Sequence, residues 1–238
     1  MINLSKVIKI IPTYNEKENM AALVPAIFEH MPETSILIVD DNSPDGTGQA
    51  VSDLKKNYPN LDLHQRFGDK GFGRSYIDGF RKIKSDNRYE AVVMMDADFS
   101  HNPYTVPAMV AKLDNYDLVV GSRYIKGGRI DNWKSVKRKI LSRFANFYAR
   151  TILGVPVNDI TTGFMCFRKS VLDKVDLDSI KSDGYAFLVE MKYRIFKAGY
   201  RITEYPIVFN ERREGQSKMS SKVIWESIWL PWRIRFFK

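Results

Sequence analysis

Residues 91–102, AVVMMDADFSHN, constrain the fold of this chain more than any other stretch. The apolar run from 91 to 95 reads as a buried strand, and it ends in two carboxylates one residue apart, Asp96 and Asp98. Period-two alternation puts both on one face of a continuing strand or converges them at its end. Carboxylates held this close repel each other unless something positive sits between them, and a divalent cation bridging a diphosphate would do so. The other reading is a pair of solvated turn aspartates with Asp98 as a helix cap. Position favours the ligand, because open α/β sheets bind ligands at the carboxyl ends of their strands.

The neighbouring segments supply such a sheet. Residues 7–14 (VIKIIPTY) form a short apolar strand running into Pro12, and Asn15 and Glu16 open a helical pattern that reaches His30. Residues 35–41 (SILIVDD) are a second buried strand, stopped by the turn signal Asn42-Ser43-Pro44-Asp45-Gly46 with Thr47 as the expected N-cap. A third strand spans 61–67, and Gly71-Phe72-Gly73 precede a helix over 74–84. After the central strand come a helix near 104–113 and a strand at 117–124 (DLVVGSRY). Strands alternating with helices predict an α/β fold, a mostly parallel sheet with right-handed crossovers. Acidic groups then stand at three strand ends: Glu16, Asp40 with Asp41, and Asp96 with Asp98. A dinucleotide-binding unit should show GxGxxG after its first strand, where this chain reads PTYNE, so a nicotinamide enzyme is disfavoured. Lys70-Gly71-Phe72-Gly73 is too short and misplaced for a P-loop; it suits a close approach of backbone to a ligand or a neighbouring strand.

A chain of 238 residues, 44% apolar and 27% charged, is long enough for one sizeable core. No apolar run reaches the roughly 18 residues of a membrane-spanning helix, and the N-terminus lacks a signal-peptide layout. Cys166, in the apolar stretch GFMCF, is the only cysteine, so buried packing and a reducing compartment fit it. His30, His64 and His101 have no metal-ligand spacing. The net charge of +9 is segregated: residues 1–121 carry 13 Lys and Arg against 17 Asp and Glu, whereas residues 122–238 carry 24 against 11. A basic half of this kind implies an anionic partner: nucleic acid, anionic lipid or a phosphorylated substrate.

Six motifs in order, PTYNE (12–16), VDDNSPDGT (39–47), KGFG (70–73), DADFSH (96–101), GSRY (121–124) and RREGQSK (212–218), resemble GT-A fold, family 2 glycosyltransferases, and more narrowly dolichyl-phosphate (polyprenyl-phosphate) mannose synthases. The resemblance spans about residues 5–220. It implies a metal-dependent transfer of mannose from GDP-mannose to a polyprenyl (dolichyl) phosphate, with inversion, at the cytoplasmic face of a membrane; a UDP-sugar such as UDP-glucose is the alternative donor. It places Pro12, Tyr14, Glu16, Val39 and Asp41 around the base and ribose, and Asp96, Ala97 and Asp98 facing the nucleotide sugar. Asp98, with Asp96 as partner, would hold Mg²⁺ or Mn²⁺, hard cations that take carboxylate and phosphate oxygens together. Arg123 is either the salt-bridge partner of its acidic neighbours or a phosphate ligand, and the family match favours the second. Arg212 and Lys218 would close over the donor diphosphate from a loop.

The basic half divides into three parts. Residues 134–151 (KSVKRKILSRFANFYART) carry Val136, Ile140, Phe144, Phe147 and Tyr148 at helical spacing, interleaved with Lys137, Arg138, Lys139 and Arg143. Such a helix, 134–153 in full, either faces the core with a solvated charged side or lies on an anionic membrane. Arg138 and Ser142, one turn apart, match the family's site for the acceptor phosphate, with Arg123 beside them. Asp159 and Thr161 read equally as caps or acceptor-site residues. Residues 184–199 form a helix with a Gly C-cap, and 201–209 an edge strand. Residues 1–220 thus form the catalytic domain, and 221–238, rich in Trp and Phe beside basic residues, a segment for the membrane interface or for packing. Some relatives continue there into transmembrane helices, so a peripheral form or a longer chain is expected, and a membrane-anchoring subunit is compatible with either. Nucleic acid is not expected as a partner, since the basic residues accompany a metal–diphosphate constellation and no reader motif.

Overall fold

Alternation inside the apolar runs decides how the chain layers. The computed structural model describes residues 1–131, 135–210 and 221–236. Strands Val7–Thr13 (β1), Ser35–Asp40 (β2), Leu61–Gln65 (β3) and Ala91–Met94 (β4) are separated by helices Lys17–His30 (α1), Thr47–Leu54 (α2) and Phe72–Lys84 (α3). Then follow helix Val106–Ala111 (α4), strands Leu118–Ser122 (β5) and Arg129–Ile130 (β6), helix Val136–Leu153 (α5) and strand Met165–Arg168 (β7). Helices Val171–Lys174 (α6) and Gly184–Lys197 (α7), strands Ile202–Pro206 (β8) and Val208–Phe209 (β9), and helix Ser221–Phe236 (α8) complete the order.

Seven strands make one sheet in the order β3-β2-β1-β4-β7-β5-β8, and β6 pairs with β9 beside it. Every neighbouring pair in the large sheet is parallel except the two made by β7, which runs antiparallel between β4 and β5. Along β1, Ile8 and Ile10 pack with α3, α7 and Leu153 of α5 on one face, while Val7 and Ile11 pack with α1 and α4 on the other. Val92 and Met94 against Ala91 and Val93 repeat the split in β4. A continuous apolar run is therefore a strand buried on both faces. The chain moves outward from β1 through β2 to β3 and then returns to place β4 on β1's other side. That reversal leaves a crevice at the carboxyl ends of β1 and β4.

The mixed, mostly parallel sheet with helices on both faces agrees with the sequence reading, and β1 to β5 lie within two residues of their expected bounds. Three expectations are corrected. Where the central antiparallel strand β7 lies, the sequence predicts only apolar packing around Cys166; four residues outside the strand–helix alternation carry too little pattern to be identified. The helix at 104–113 is a single α segment, α4, between the 3₁₀ turns Pro103–Thr105 and Lys112–Asp114, because Pro103 and Pro107 remove backbone donors. The strand at 201–209 divides after Pro206, β8 staying on the sheet edge and β9 leaving to pair with β6.

One residue violates the core pattern. Lys9 faces the α1 side of β1, fully buried, and its Nζ donates to Thr34 Oγ1 at 2.7 Å. Burial lowers its pKa from 10.5 to about 7, opposed by the nearby charge of Glu33. Between those two values the unfolded chain holds the proton and the folded chain does not, so stability rises with pH there and the cost of the lysine is full below about pH 7. Lys9→Met should therefore stabilise the protein more at about pH 6 than at about pH 9.5, by on the order of 2 kcal/mol, in urea denaturation.

Candidate active site

The loops leaving β1 and β2 are tied together at the crevice. Asp40 is fully buried and accepts from Thr13 Oγ1, Ser43 N–H and Ser43 Oγ, so it braces the turn and faces no open surface. Asn15 N–H donates to Ser43 Oγ, Glu16 N–H to Thr47 Oγ1 and Lys17 N–H to Asp45. Thr47 is not the N-cap that the sequence predicts. Gly46 holds that position in the left-handed region at φ 86°, and Thr47 is the first helical residue, its hydroxyl donating to Asp45 Oδ1 at 2.6 Å. Glu16 accepts from Asn19 Nδ2 at 2.6 Å. Asp41 accepts from Arg66 Nη1 and from Gly71 N–H at 2.8 Å, which ties the β2 loop to the start of α3. At the rim, Tyr14 is exposed under Lys70 Nζ, 4.1 Å from its ring centroid. Pro12 is half-buried, while Val39 and Ala97 are buried, Val39 within the core. Gly71 and Gly73 are glycines for close approach: a Cβ on Gly71 would sit 2.6 Å from Asp183 Oδ2, and one on Gly73 2.9 Å from Phe187.

The tip of β4 is the most strained and most charged part of the crevice. Phe99 has φ 60°, a conformation costly for a bulky side chain, and Asn15 and Asn42 hold φ 60° and 51° after β1 and β2. Among the described residues, all three left-handed non-glycine residues thus follow strands whose ends line the crevice. Asp98 is buried and accepts from Ser100 N–H at 3.0 Å; Asp96 is half-buried. Beneath them, Tyr76 donates to the Met95 carbonyl at 3.2 Å, and burial, then the charges of Asp96 and Asp98, push its phenol well up.

His101 is the residue sequence reasoning missed. It is buried, stacked on Phe164 at 4.9 Å, and its Nδ1 accepts from the Asp96 N–H at 3.0 Å. That bond puts the ring proton on Nε2, which lies 3.8 Å from Asp96 Oδ2. Burial lowers its pKa and Arg123 adds to the effect, against the pull of Asp96, Asp98 and Asp159, so the ring is neutral at neutral pH. Its signal in sequence was only its place five residues after Asp96 in one loop.

Arg123, just past β5, is buried in an ion pair. Its Nε and Nη2 donate to the two carboxylate oxygens of Asp159 at 2.7 Å each, its backbone N–H to Oδ2 at 2.9 Å, and Nη2 also to Thr161 Oγ1 at 3.2 Å. The salt-bridge alternative is realised, with Asp159 as partner, and Nη1 makes no hydrogen bond among the described residues. Thr161 continues the network to α5, where Asn146 donates to its hydroxyl at 3.1 Å and accepts its N–H at 3.0 Å. One turn earlier, Ser142 Oγ accepts from the Tyr124 hydroxyl at 2.7 Å, and Arg138 is half-buried one turn before that. Lys192, also missed, lies fully buried behind this network, donating to the Thr162 carbonyl at 2.6 Å, and burial lowers it to about 7. Arg212 and Lys218 lie outside the described residues.

Asp96 and Asp98 fit a hard divalent cation in donor chemistry, and the buried Ser100 Oγ beside them has no hydrogen-bond partner among the described residues. Also among those residues, no group of three or more His, Cys, Asp or Glu side chains is arranged to hold a metal. The remaining positions around Mg²⁺ or Mn²⁺ would then fall to diphosphate oxygens and water, the mode magnesium favours. The ion pair below the site gives a direct test of its structural weight. Asp159→Ala leaves the Arg123 guanidinium buried without its carboxylate and should cost ~3–5 kcal/mol in urea denaturation.

Comparisons with known proteins agree with this fold. The glycosyl transferase family 2 profile matches residues 9–176. An undecaprenyl-phosphate mannosyltransferase of Micrococcus luteus is 40% identical over 223 residues, covering 94% of this chain and 91% of the relative. A polyprenol monophosphomannose synthase of Mycolicibacterium smegmatis is 40% identical over 230 residues, covering 95% and 86%. Among solved structures, glucosyl-3-phosphoglycerate synthase of Mycobacterium tuberculosis, in complex with Mn²⁺, UDP-glucose and phosphoglyceric acid, superposes with a TM-score of 0.67 at 14% identity, over 95% of this chain and 79% of that one. At that identity the likeness concerns the fold alone. The chain belongs to glycosyl transferase family 2 and, within it, resembles the polyprenyl-phosphate mannose synthases.

Proposed function

We propose that the chain transfers mannose from GDP-mannose to the phosphate of a polyprenol, with inversion at the anomeric carbon, at the cytoplasmic face of a membrane. The observation that carries this reading is one hydrogen-bond network. It runs from the buried Arg123 through Thr161 and Asn146 to Ser142 on α5, and α5 then turns an apolar stripe outward. The 40% identity to two relatives named for polyprenol phosphates and mannose supports the acceptor and the sugar. The choice of a guanine donor is supported by the crevice at β1 and β2, where Tyr14 can stack on a base and Glu16 accept from base or ribose groups.

Asp96 and Asp98 would hold Mg²⁺ or Mn²⁺, and that ion would supply positive charge to a leaving diphosphate. Arg212 and Lys218 add to that charge. A polyprenyl phosphate is already an anion at neutral pH, so its oxygen attacks without deprotonation. The site matches this: the histidine at its centre has Nδ1 occupied by the Asp96 N–H and presents only a donor. Its task is to fix the Asp96 backbone. Ser142 accepts from Tyr124, which leaves its own hydroxyl proton to donate to the acceptor phosphate. Arg138 and Nη1 of Arg123 add charge, and together these groups hold the phosphate in line with the anomeric carbon.

The acceptor's chain needs a surface. Val136, Ile140, Phe144 and Phe147 of α5 are each more than half exposed, as are Trp229 and Phe236 of α8. The two helices are joined by Tyr148, which donates to the Ile228 carbonyl and accepts from Trp232 Nε1, both at 2.9 Å. Leu230 and Ile234 anchor α8 in the core, so packing and an outward aromatic face coexist. Among the described residues no helix is long and apolar enough to cross a membrane, and this face serves as the peripheral contact, or as the seat of an anchoring subunit.

Purified protein with labelled GDP-mannose and a polyprenyl phosphate should yield lipid-extractable label, and Asp98→Ala should lose at least about a hundredfold in rate with unchanged Tm. Higher turnover with UDP-glucose would favour the alternative donor, and full activity of Asp98→Ala with metal chelated would remove the metal role. Ile140→Ser with Phe144→Ser should lower activity roughly tenfold on vesicle-borne acceptor while sparing a short, water-soluble polyprenyl phosphate.

A further inference from the structure

Two arginines of α5 have no role in the reaction outlined above. At about 100° per residue, α5 has three strips: Arg138, Ser142 and Asn146 face the site, Val136, Ile140, Phe144 and Phe147 face outward, and Arg143 and Arg150 run between them. There they line a cleft of about 190 Å³ with Tyr124, Phe147 and Asn158. At roughly 30 Å³ per water, that space accommodates a phosphodiester.

The chemistry of the lining is selective. Neither guanidinium has a carboxylate partner among the described residues; Arg143 lies 5.8 Å from the Tyr124 ring centroid and Arg150 5.7 Å from that of Phe147. Arg150 Nη1 donates to Asn158 Oδ1, and the Asn158 amide passes on to Glu204 at 2.6 Å, so the acid stands behind the asparagine. Guanidinia beside aromatic rings and without a carboxylate partner keep donors for an incoming oxyanion, the chemistry that arginine offers phosphate. Phe147 belongs both to the cleft and to the exposed apolar strip, so a bound phosphate with acyl chains would lay those chains along the helix.

We propose that this cleft binds the phosphate of an anionic membrane lipid, a site separate from that of the polyprenyl acceptor. The inference rests on the reading that α5 and α8 lie on a membrane. It assigns the Arg143 and Arg150 strip to headgroup recognition and the Arg138 and Ser142 strip to the acceptor. The Tyr124 ring, 5.2 Å from the Arg123 guanidinium as well, forms a wall shared by the two.

The test is flotation of the whole protein with phosphatidylcholine vesicles, with and without phosphatidylglycerol. Wild type should bind the anionic vesicles more tightly, and Arg143→Gln with Arg150→Gln should lose that preference by about tenfold or more. Arg143→Gln alone, at an exposed position, gives a smaller loss in the same direction without risk to the fold, which Tm verifies. The charge-matched pair Lys137→Gln with Arg233→Gln removes as much charge from α5 and α8 outside the cleft and should lose clearly less. Equal losses in both pairs would reduce the effect to general electrostatics and overturn the proposal. Two further arms separate the sources. Inorganic phosphate protecting the cleft as strongly as vesicle lipid would make it a free-anion site. A raised KM for water-soluble polyprenyl phosphate in the Arg143 and Arg150 variant would merge it with the acceptor site. Absence of binding to any vesicle by wild type would instead overturn the membrane reading itself.

Discussion

Two like charges at the end of one short strand govern the rest of the structure. Asp98 is buried and Asp96 half-buried, so water screens their repulsion poorly. The sheet order places them at the reversal between β1 and β4, where a ligand can enter. The cations of the neighbourhood are largely committed elsewhere: Arg123 to Asp159, and Arg66 to Asp41 and Asp78. On the proposed reading, a metal–diphosphate pair entering the crevice would add further positive charge beside the two aspartates.

Backbone strain marks the same place independently of charge. The left-handed residues Asn15, Asn42 and Phe99 follow three strands whose ends line one crevice. The asparagines tolerate that conformation, whereas Phe99 is held in it by its surroundings. Its loop is pinned from both sides, by His101 on the Asp96 N–H and by Asp98 on the Ser100 N–H. A loop so constrained holds its carboxylates before any ligand binds, and little ordering is left to be done when one does.

The sheet was legible because its apolar runs end in turn residues and acids, and the acids were legible as a site because parallel strands bring their carboxyl ends to one edge. What escaped was non-local. Asp159 lies 36 residues from Arg123, and nothing local distinguishes it from a loop cap; only the fold makes it the partner. His101 has no metal-ligand spacing, and what it does in the fold is accept a backbone amide, which no spacing rule encodes. Lys192 sits in an amphipathic helical pattern as if solvated, and only the packing of α7 under the Thr162 carbonyl buries it. The strand β7 is legible only once β4 and β5 are seen to need a partner between them.

The helix α5 inverts the usual economy of an amphipathic helix. Its inward side carries Asn146 and the half-buried Arg138 and Ser142, while its larger apolar side chains face out. An apolar stripe left in water forgoes about 25 cal/mol for each Å² that it could have buried. Turning the helix would recover that energy, but it would break the Asn146 bonds to Thr161 and carry Ser142 away from Tyr124. Those bonds hold the helix against the hydrophobic gain, and the stripe stays available for an apolar phase outside the protein. On the proposed reading, an acceptor whose phosphate reaches Ser142 while its polyprenol remains in lipid needs both sides of one helix at once. The orientation of α5 satisfies the two requirements with a single element.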